Sequence, residues 1–239
     1  MSSRAWTALW LFCLGAGLLL VGTMTRPWGL AVFGWLGLST QAVAAAYAAN
    51  EPRVFGKRRD GSVPLLTWVM FGPYLAIAWL IVWLLARLTR ENDWDEIAPG
   101  LYLGRRAAKL PTGTTTVVDL TAELHRIPGD VEYLPIPTLD GAAPRVASVL
   151  ELVRYVEGHP RVAIHCAAGH GRSAMVMAAV LVARGHASSA DAAVALMRER
   201  RPGVRMSRDQ RAALARIVAK LAPRNEGDGP GGARVPSTS

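Results

Sequence analysis

Hydrophobic and polar positions divide this chain into two unlike halves. Over 5–25, 27–50 and 61–86 no formally charged residue occurs. Each stretch meets the ~20 residues that a helix needs to cross ~30 Å of hydrocarbon. Trp6, Trp10, Trp28, Trp68 and Trp83 stand toward the ends of these runs, where amphipathic rings favour a membrane interface. The connection through Arg26 is very short, so the first two runs predict a tight helical hairpin. From Arg87 the pattern changes. Residues 87–96 read as a charged linker, and short β-branched runs then alternate with segments of helical spacing. Strands are expected at 101–104, 114–120, 131–136 and 161–165, and helices at 144–158, 173–184, 189–200 and 207–221. Such alternation predicts an α/β layered domain, a central sheet flanked by helices. Residues 223–239, rich in Gly, Pro and Ser, read as a disordered tail. The expected division is a transmembrane region over 1–90, an α/β domain over 91–222, and that tail.

A cleaved signal peptide followed by buried core helices is the competing account of the apolar half. Arg4 and the run after it fit a signal, but Val21-Gly22-Thr23-Met24 is a poor small-residue cleavage site. Two further apolar stretches follow, which a signal does not explain. The expectation is an integral, multi-pass membrane protein. Its orientation stays open. Arg53, Lys57, Arg58 and Arg59 crowd the second connection and would place it in the cytoplasm, with the C-terminal domain across the membrane if all three runs span. Arg87, Arg90, Arg105, Arg106 and Lys109 flank the last run and pull the other way. One re-entrant stretch would reverse the answer.

Composition sharpens the division. The chain of 239 residues carries a formal charge of +9 with 51% hydrophobic residues. Residues 1–86 hold six Lys or Arg and two acids, and residues 87–239 hold 21 and 16. The basic balance invites a nucleic-acid partner, but no zinc-ligand spacing, RNP-like aromatic run or basic-region heptad accompanies it. Anionic phosphate substrates or an acidic lipid surface account for the charge equally well. The two cysteines, Cys13 in an apolar run and Cys166 in a polar setting, make neither a disulfide framework nor a metal cluster.

The chemistry concentrates in Val162-Ala163-Ile164-His165-Cys166-Ala167-Ala168-Gly169-His170-Gly171-Arg172-Ser173. A predicted strand runs into a glycine-containing loop that opens a helix. Such a loop points backbone N–H groups of residues 167–171 at one spot and adds the positive end of a helix dipole. A tetrahedral dianion fits there, and the same field favours the thiolate form of Cys166. Arg172, six positions after the cysteine, can offer its planar fork to two phosphate oxygens, a grip that lysine cannot reproduce.

From His165 to Ser173 the chain resembles the cysteine-dependent protein tyrosine and dual-specificity phosphatases, whose signature is His-Cys-x-x-Gly-x-x-Arg-Ser. Residues 97–104 look like the opening strand of the dual-specificity catalytic domains, and Arg201-Pro202 like their Arg-Pro. The resemblance covers about 97–221 and implies a metal-independent and cofactor-free phosphomonoesterase. It implies that Cys166 attacks phosphorus, that Arg172 holds the equatorial oxygens, and that Ser173 helps the thiolate leave. His165 would orient the loop. The family's general acid is an aspartate upstream of the signature; Asp140, in the turn-rich 137–144 segment, is the leading candidate. Asp119 at a strand end reads as structural, and Asp130 beside Gly129 as a turn residue.

Rhodanese-like sulfurtransferases and small arsenate reductases also use a cysteine in an anion-binding loop, but with different loop spacing or position. A silent phosphate-binding pseudophosphatase is the alternative function, although cysteine, arginine and acid are all present. Two substrates stay open, a phosphorylated protein and an anionic phospholipid headgroup. Ala167 and His170 stand where phosphoinositide phosphatases often carry lysines. The cluster Arg198, Arg200, Arg201, Arg205 and Arg208 reads either as a solvated helix end or as a surface that steers anions.

Overall fold

A computed structural model describes residues 3–89 and 91–221; the tail expected at 223–239 lies outside them. The apolar half forms α1 (Ser3–Thr23), α2 (Pro27–Ala49) and α3 (Leu65–Leu88). All three are long and apolar enough to cross a membrane. Pro27 opens α2, where its missing N–H costs nothing. α1 and α2 pack along their lengths, and small residues permit the close approach. A Cβ on Gly37 would lie 2.6 Å from Leu19 Cγ. Asn50 ends α2 in the left-handed conformation, and a short 3₁₀ turn, Pro52–Phe55, leads toward α3.

The second half holds five strands, β1 (Trp94–Ala98), β2 (Leu101–Arg105), β3 (Thr116–Thr121), β4 (Glu132–Thr138) and β5 (Val162–Cys166). The charged segment expected to be a linker is therefore shorter: α3 continues to Leu88 and β1 begins at Trp94. Trp94 draws this segment into the fold, donating its indole N–H to Lys109 O at 2.9 Å. The sheet order is β1-β2-β5-β3-β4. β1 and β2 pair antiparallel, and the remaining pairs are parallel. β3 and β5 are buried along their whole length, as the interior strands of a parallel sheet must be. β4 lies at the edge, and Pro135 and Pro137 remove ladder donors there.

α4 (Val146–Val156), α5 (Arg172–Ala183), α6 (Ala190–Arg200) and α7 (Arg208–Leu221) complete the domain. α5 contacts each of the other three and is buried from Arg172 to Leu181, which explains why its sequence is apolar all round. The carboxyl ends of β2, β3, β4 and β5 open on one edge of the sheet, where open α/β folds bind ligands. The apolar helices dock at this same edge. Val43 and Tyr47 of α2 and Phe71 and Leu75 of α3 share a buried cluster with Ala122, Leu139 and Ala142, from the segments that follow β3 and β4.

Candidate active site

Cys166 ends β5 and Arg172 begins α5, so residues 167–171 turn from strand to helix. Gly169 adopts φ +78, and a Cβ there would sit 2.7 Å from the Gly104 carbonyl carbon; only glycine fits. The loop's carbonyls are held from outside. Arg106 N donates to Ala167 O at 3.1 Å and Arg205 N to His170 O at 3.0 Å. Arg201 donates from Nη2 to Ala168 O and from Nε to Gly169 O, both at 3.2 Å. With these carbonyls taken from outside, loop amides can turn inward toward an anion. Gly169 N already donates to Cys166 Sγ at 3.2 Å, and Ser173 Oγ lies 3.3 Å from the same sulfur.

Arg172 is 1% exposed. Its Nη1 donates to Thr138 O at 2.7 Å and to Glu123 Oε2 at 3.3 Å, and its Nη2 donates to Glu123 Oε1 at 3.2 Å. Asp140 Oδ1 lies 3.3 Å from Nη2. The Nε is buried and has no protein acceptor among the described residues, so one guanidinium donor remains for a substrate oxygen. Burial alone would lower the pKa of Arg172, but Glu123, Asp140 and Cys166 outweigh it and hold the value well above the ordinary one. Asp140 keeps its side chain 75% exposed, on a turn whose next residue, Gly141, takes φ +71. It thus combines contact with Arg172 and access to water.

Beneath Cys166 lies a second polar network. His165 is fully buried, with Nδ1 3.4 Å from Cys166 O and Nε2 3.7 Å from Asp119 Oδ1. Asp119 accepts from Thr121 N at 2.8 Å, Thr121 Oγ1 at 2.7 Å and Tyr133 Oη at 2.7 Å. Its counter-ion comes from the apolar half: Lys57 Nζ is 2.6 Å from Asp119 Oδ2 and also donates to Thr121 O at 2.8 Å. Burial opposes the charge on Asp119, yet His165 and Lys57 hold its pKa down at about 2. Burial likewise lowers the pKa of His165, with Asp119 offsetting part of that.

The structure brings Cys166, Arg172, Ser173, Asp140 and the 167–171 loop together; Asp130 stands exposed in its turn. Arg201 corrects one expectation. It is 0% exposed and pairs with Asp95 at 2.8 Å, so it is a buried brace behind the loop and no part of a solvated basic patch. Sequence reading also passed over Glu123, Lys57 and Glu91, whose carboxylate meets His170 at 2.5 Å. No local pattern marks them, because each acts on a partner 49 or more positions away.

Residues 108–186 match a family model described as "Polymorphic toxin system, DSP-PTPase phosphatase". No curated protein sequence matches the chain. Among solved structures, Tk-PTP in its active form aligns with TM-score 0.47 and 25% identity, over 54% of this chain and 97% of that one. PTPMT1 in complex with PI(5)P aligns with TM-score 0.46 and 19% identity, over 54% and 97%. Human DUSP28 aligns with TM-score 0.48 and 22% identity, over 54% and 95%. Residues 108–186 are thus similar to phosphatase domains of the dual-specificity and tyrosine phosphatase kind, and they lie within a mixed sheet flanked by helices. The family match does not reach the three apolar helices.

Proposed function

We propose that this chain is a membrane-held phosphomonoesterase that works through a cysteinyl-phosphate on Cys166 and takes its substrate from the lipid surface. The observation that carries the chemistry is the single cluster of a buried Arg172 with a free Nε, a water-accessible Asp140 on the same guanidinium, and Cys166 at the loop. In the first step Cys166 Sγ attacks phosphorus, the bond from phosphorus to the leaving oxygen breaks, and Asp140 gives that oxygen its proton. Arg172 and the loop amides hold the equatorial oxygens as charge spreads over them. In the second step Asp140 takes a proton from water, the water oxygen attacks phosphorus, and the sulfur–phosphorus bond breaks. Inorganic phosphate leaves, and Ser173 donates to the returning thiolate. No metal enters either step.

The lipid reading is supported by the docking of α2 and α3 on the catalytic edge. A site whose loops pack on membrane-bound helices meets headgroups at high effective concentration. Beside Thr138 and Leu139 opens a cavity of about 610 Å³ whose walls combine Arg53, Arg145, Glu51 and Glu151 with Leu134 and Ile136. The test is phosphate release in chelator by the detergent-purified full chain, with Cys166→Ser as the blank. We expect faster release from phosphatidylglycerophosphate micelles than from phosphotyrosine or phosphothreonine peptides. Preference for the peptides would overturn the lipid reading and leave the chemistry standing. Silence on all of them, with Cys166 reduced, would sink the enzyme and favour the phosphate-binding alternative.

A further inference from the structure

The two ends of α3 touch the same side of the same domain. At its start, the connection from α2 seats on the catalytic half: the Lys57 side chain is 1% exposed against a fully buried Asp119, and Arg126 N donates to Gly61 O at 3.1 Å. Within the first turn, Trp68 Nε1 lies 3.3 Å from His125 Nε2. Near the middle, Arg106 Cζ stacks 4.9 Å over the ring of Trp79. Just past its end, Arg105 Nη1 donates to Thr89 Oγ1 at 3.0 Å. A 24-residue helix is about 36 Å long, enough to cross a bilayer. Were it to cross, Lys57 and Arg105 would stand on opposite sides of the hydrocarbon and Arg106 would lie within it. Asp119 would then be buried without its cation.

The way α3 meets α2 agrees. Trp35 Nε1 donates to Val69 O at 2.8 Å, while Tyr47, about three turns further along α2, still packs in one cluster with Phe71, Tyr74 and Leu75. Contacts that advance so little along α3 fit helices that cross, unlike the side-by-side pairing of α1 with α2. The α1–α2 hairpin, by contrast, has both ends at the catalytic domain. Arg4 pairs with Asp209 at 3.7 Å, and α2 runs into the connection that carries Lys57.

We infer that only the α1–α2 hairpin spans the membrane, and that α3 does not cross it but lies against the hairpin with both of its ends on the catalytic side, the bilayer covering its outer apolar face. That face includes Leu65, Leu66, Val69, Ile77, Leu80 and Leu88, all exposed, on a helix of mean hydropathy 2.0. The bilayer is the occupant that this chemistry fits. Trp83 carries Arg87 stacked 5.1 Å over its ring, an aromatic-and-cation pair suited to the interface. Exposed Arg53, Arg58 and Arg59 on the adjoining connection face anionic headgroups. The opposing orientation signals are thereby reconciled. Arg4, the 53–59 cluster, Arg87, Arg105 and Arg106 all fall on one side and only Arg26 on the other, which makes the catalytic side cytoplasmic.

This inference rests on the membrane reading proposed above, and its test separates the two. The full chain carrying Cys13→Ser and Cys166→Ser is placed in a bacterial inner membrane with one reporter at a time: Arg26→Cys, Arg59→Cys or Glu157→Cys. Sealed inverted vesicles are treated with a membrane-impermeant maleimide. We expect Arg59→Cys and Glu157→Cys to label without detergent, and Arg26→Cys only after detergent. Labelling of Arg59→Cys and Glu157→Cys from opposite sides overturns the placement of α3. Labelling of all three from one side, with the chain retained after alkaline carbonate, overturns the spanning hairpin. Release of the chain by carbonate overturns the membrane reading itself.

Discussion

Two loops reach the catalytic edge by different routes. On the proposed reading, the loop 166–172 carries its chemistry in its own residues: cysteine, glycines, arginine and helix start are adjacent in sequence and fold into one turn. The connection 50–64 carries no motif, yet Lys57 neutralises the carboxylate beneath the histidine that precedes the nucleophile. On that reading the first loop would supply chemistry and the second position. A domain whose reactive loop is complete in itself can still depend, for alignment, on a lysine 62 positions before its carboxylate partner.

That contrast is broken most directly at its ends. Cys166→Ser should remove phosphate release to background, on the order of 10⁴-fold or more, while leaving thermal unfolding in detergent unchanged. A large loss of stability would make the loop structural as well as chemical. Asp140→Ala should slow release by roughly 10²–10⁴-fold on alkyl phosphates and much less on aryl phosphates, whose leaving groups need no proton. Equal losses on both would remove Asp140 from the acid role.

Lys57→Met tests the second loop. It leaves a fully buried carboxylate unpaired, so unfolding in denaturant should show a loss of about 3–5 kcal/mol. Lys57→Met combined with Asp119→Asn should recover most of it, since the uncompensated charge is gone. If the double variant is no more stable than the single, the pair is not what holds the connection to the domain.

The pH dependence of stability follows from the same network. Asp119 holds its pKa at about 2 against about 4 for an ordinary aspartate, so the unfolded chain binds the proton first. Its contribution is therefore present above about pH 4 and is lost as pH falls from there through about 2. His165, lowered chiefly by burial, acts earlier. Below its ordinary value of about 6.5 the unfolded chain takes a proton that the folded chain refuses, so stability begins to fall there. Denaturant midpoints across this range measure both, and in Lys57→Met the Asp119 step should move to higher pH. The smallest effect belongs to Glu91→Gln. Its pair with His170 is about a fifth exposed, and the substitution should cost under about 1 kcal/mol.

Local spacing determined a great deal. The alternation of β-branched and helical runs predicted β2 to β5 and the four helices after Arg87 to within a few residues, because periodicity reflects which face each element buries, but it missed β1, which begins inside the charged stretch read as a linker. The signature from His165 to Ser173 declared the phosphate loop, because its chemistry requires its parts within one turn. Length and hydropathy marked three apolar helices. What they did not determine is which of these helices lies against the rest of the protein and which stands away from it, since one apolar composition suits both. Tertiary structure decided that α3 rests along the catalytic domain, that Arg201 is a buried brace, and that Glu123 and Lys57 complete the site. The reason is physical. Hydrophobic burial carries no direction, whereas an ion pair between residues far apart in sequence exists only once the chain has brought them within hydrogen-bond reach.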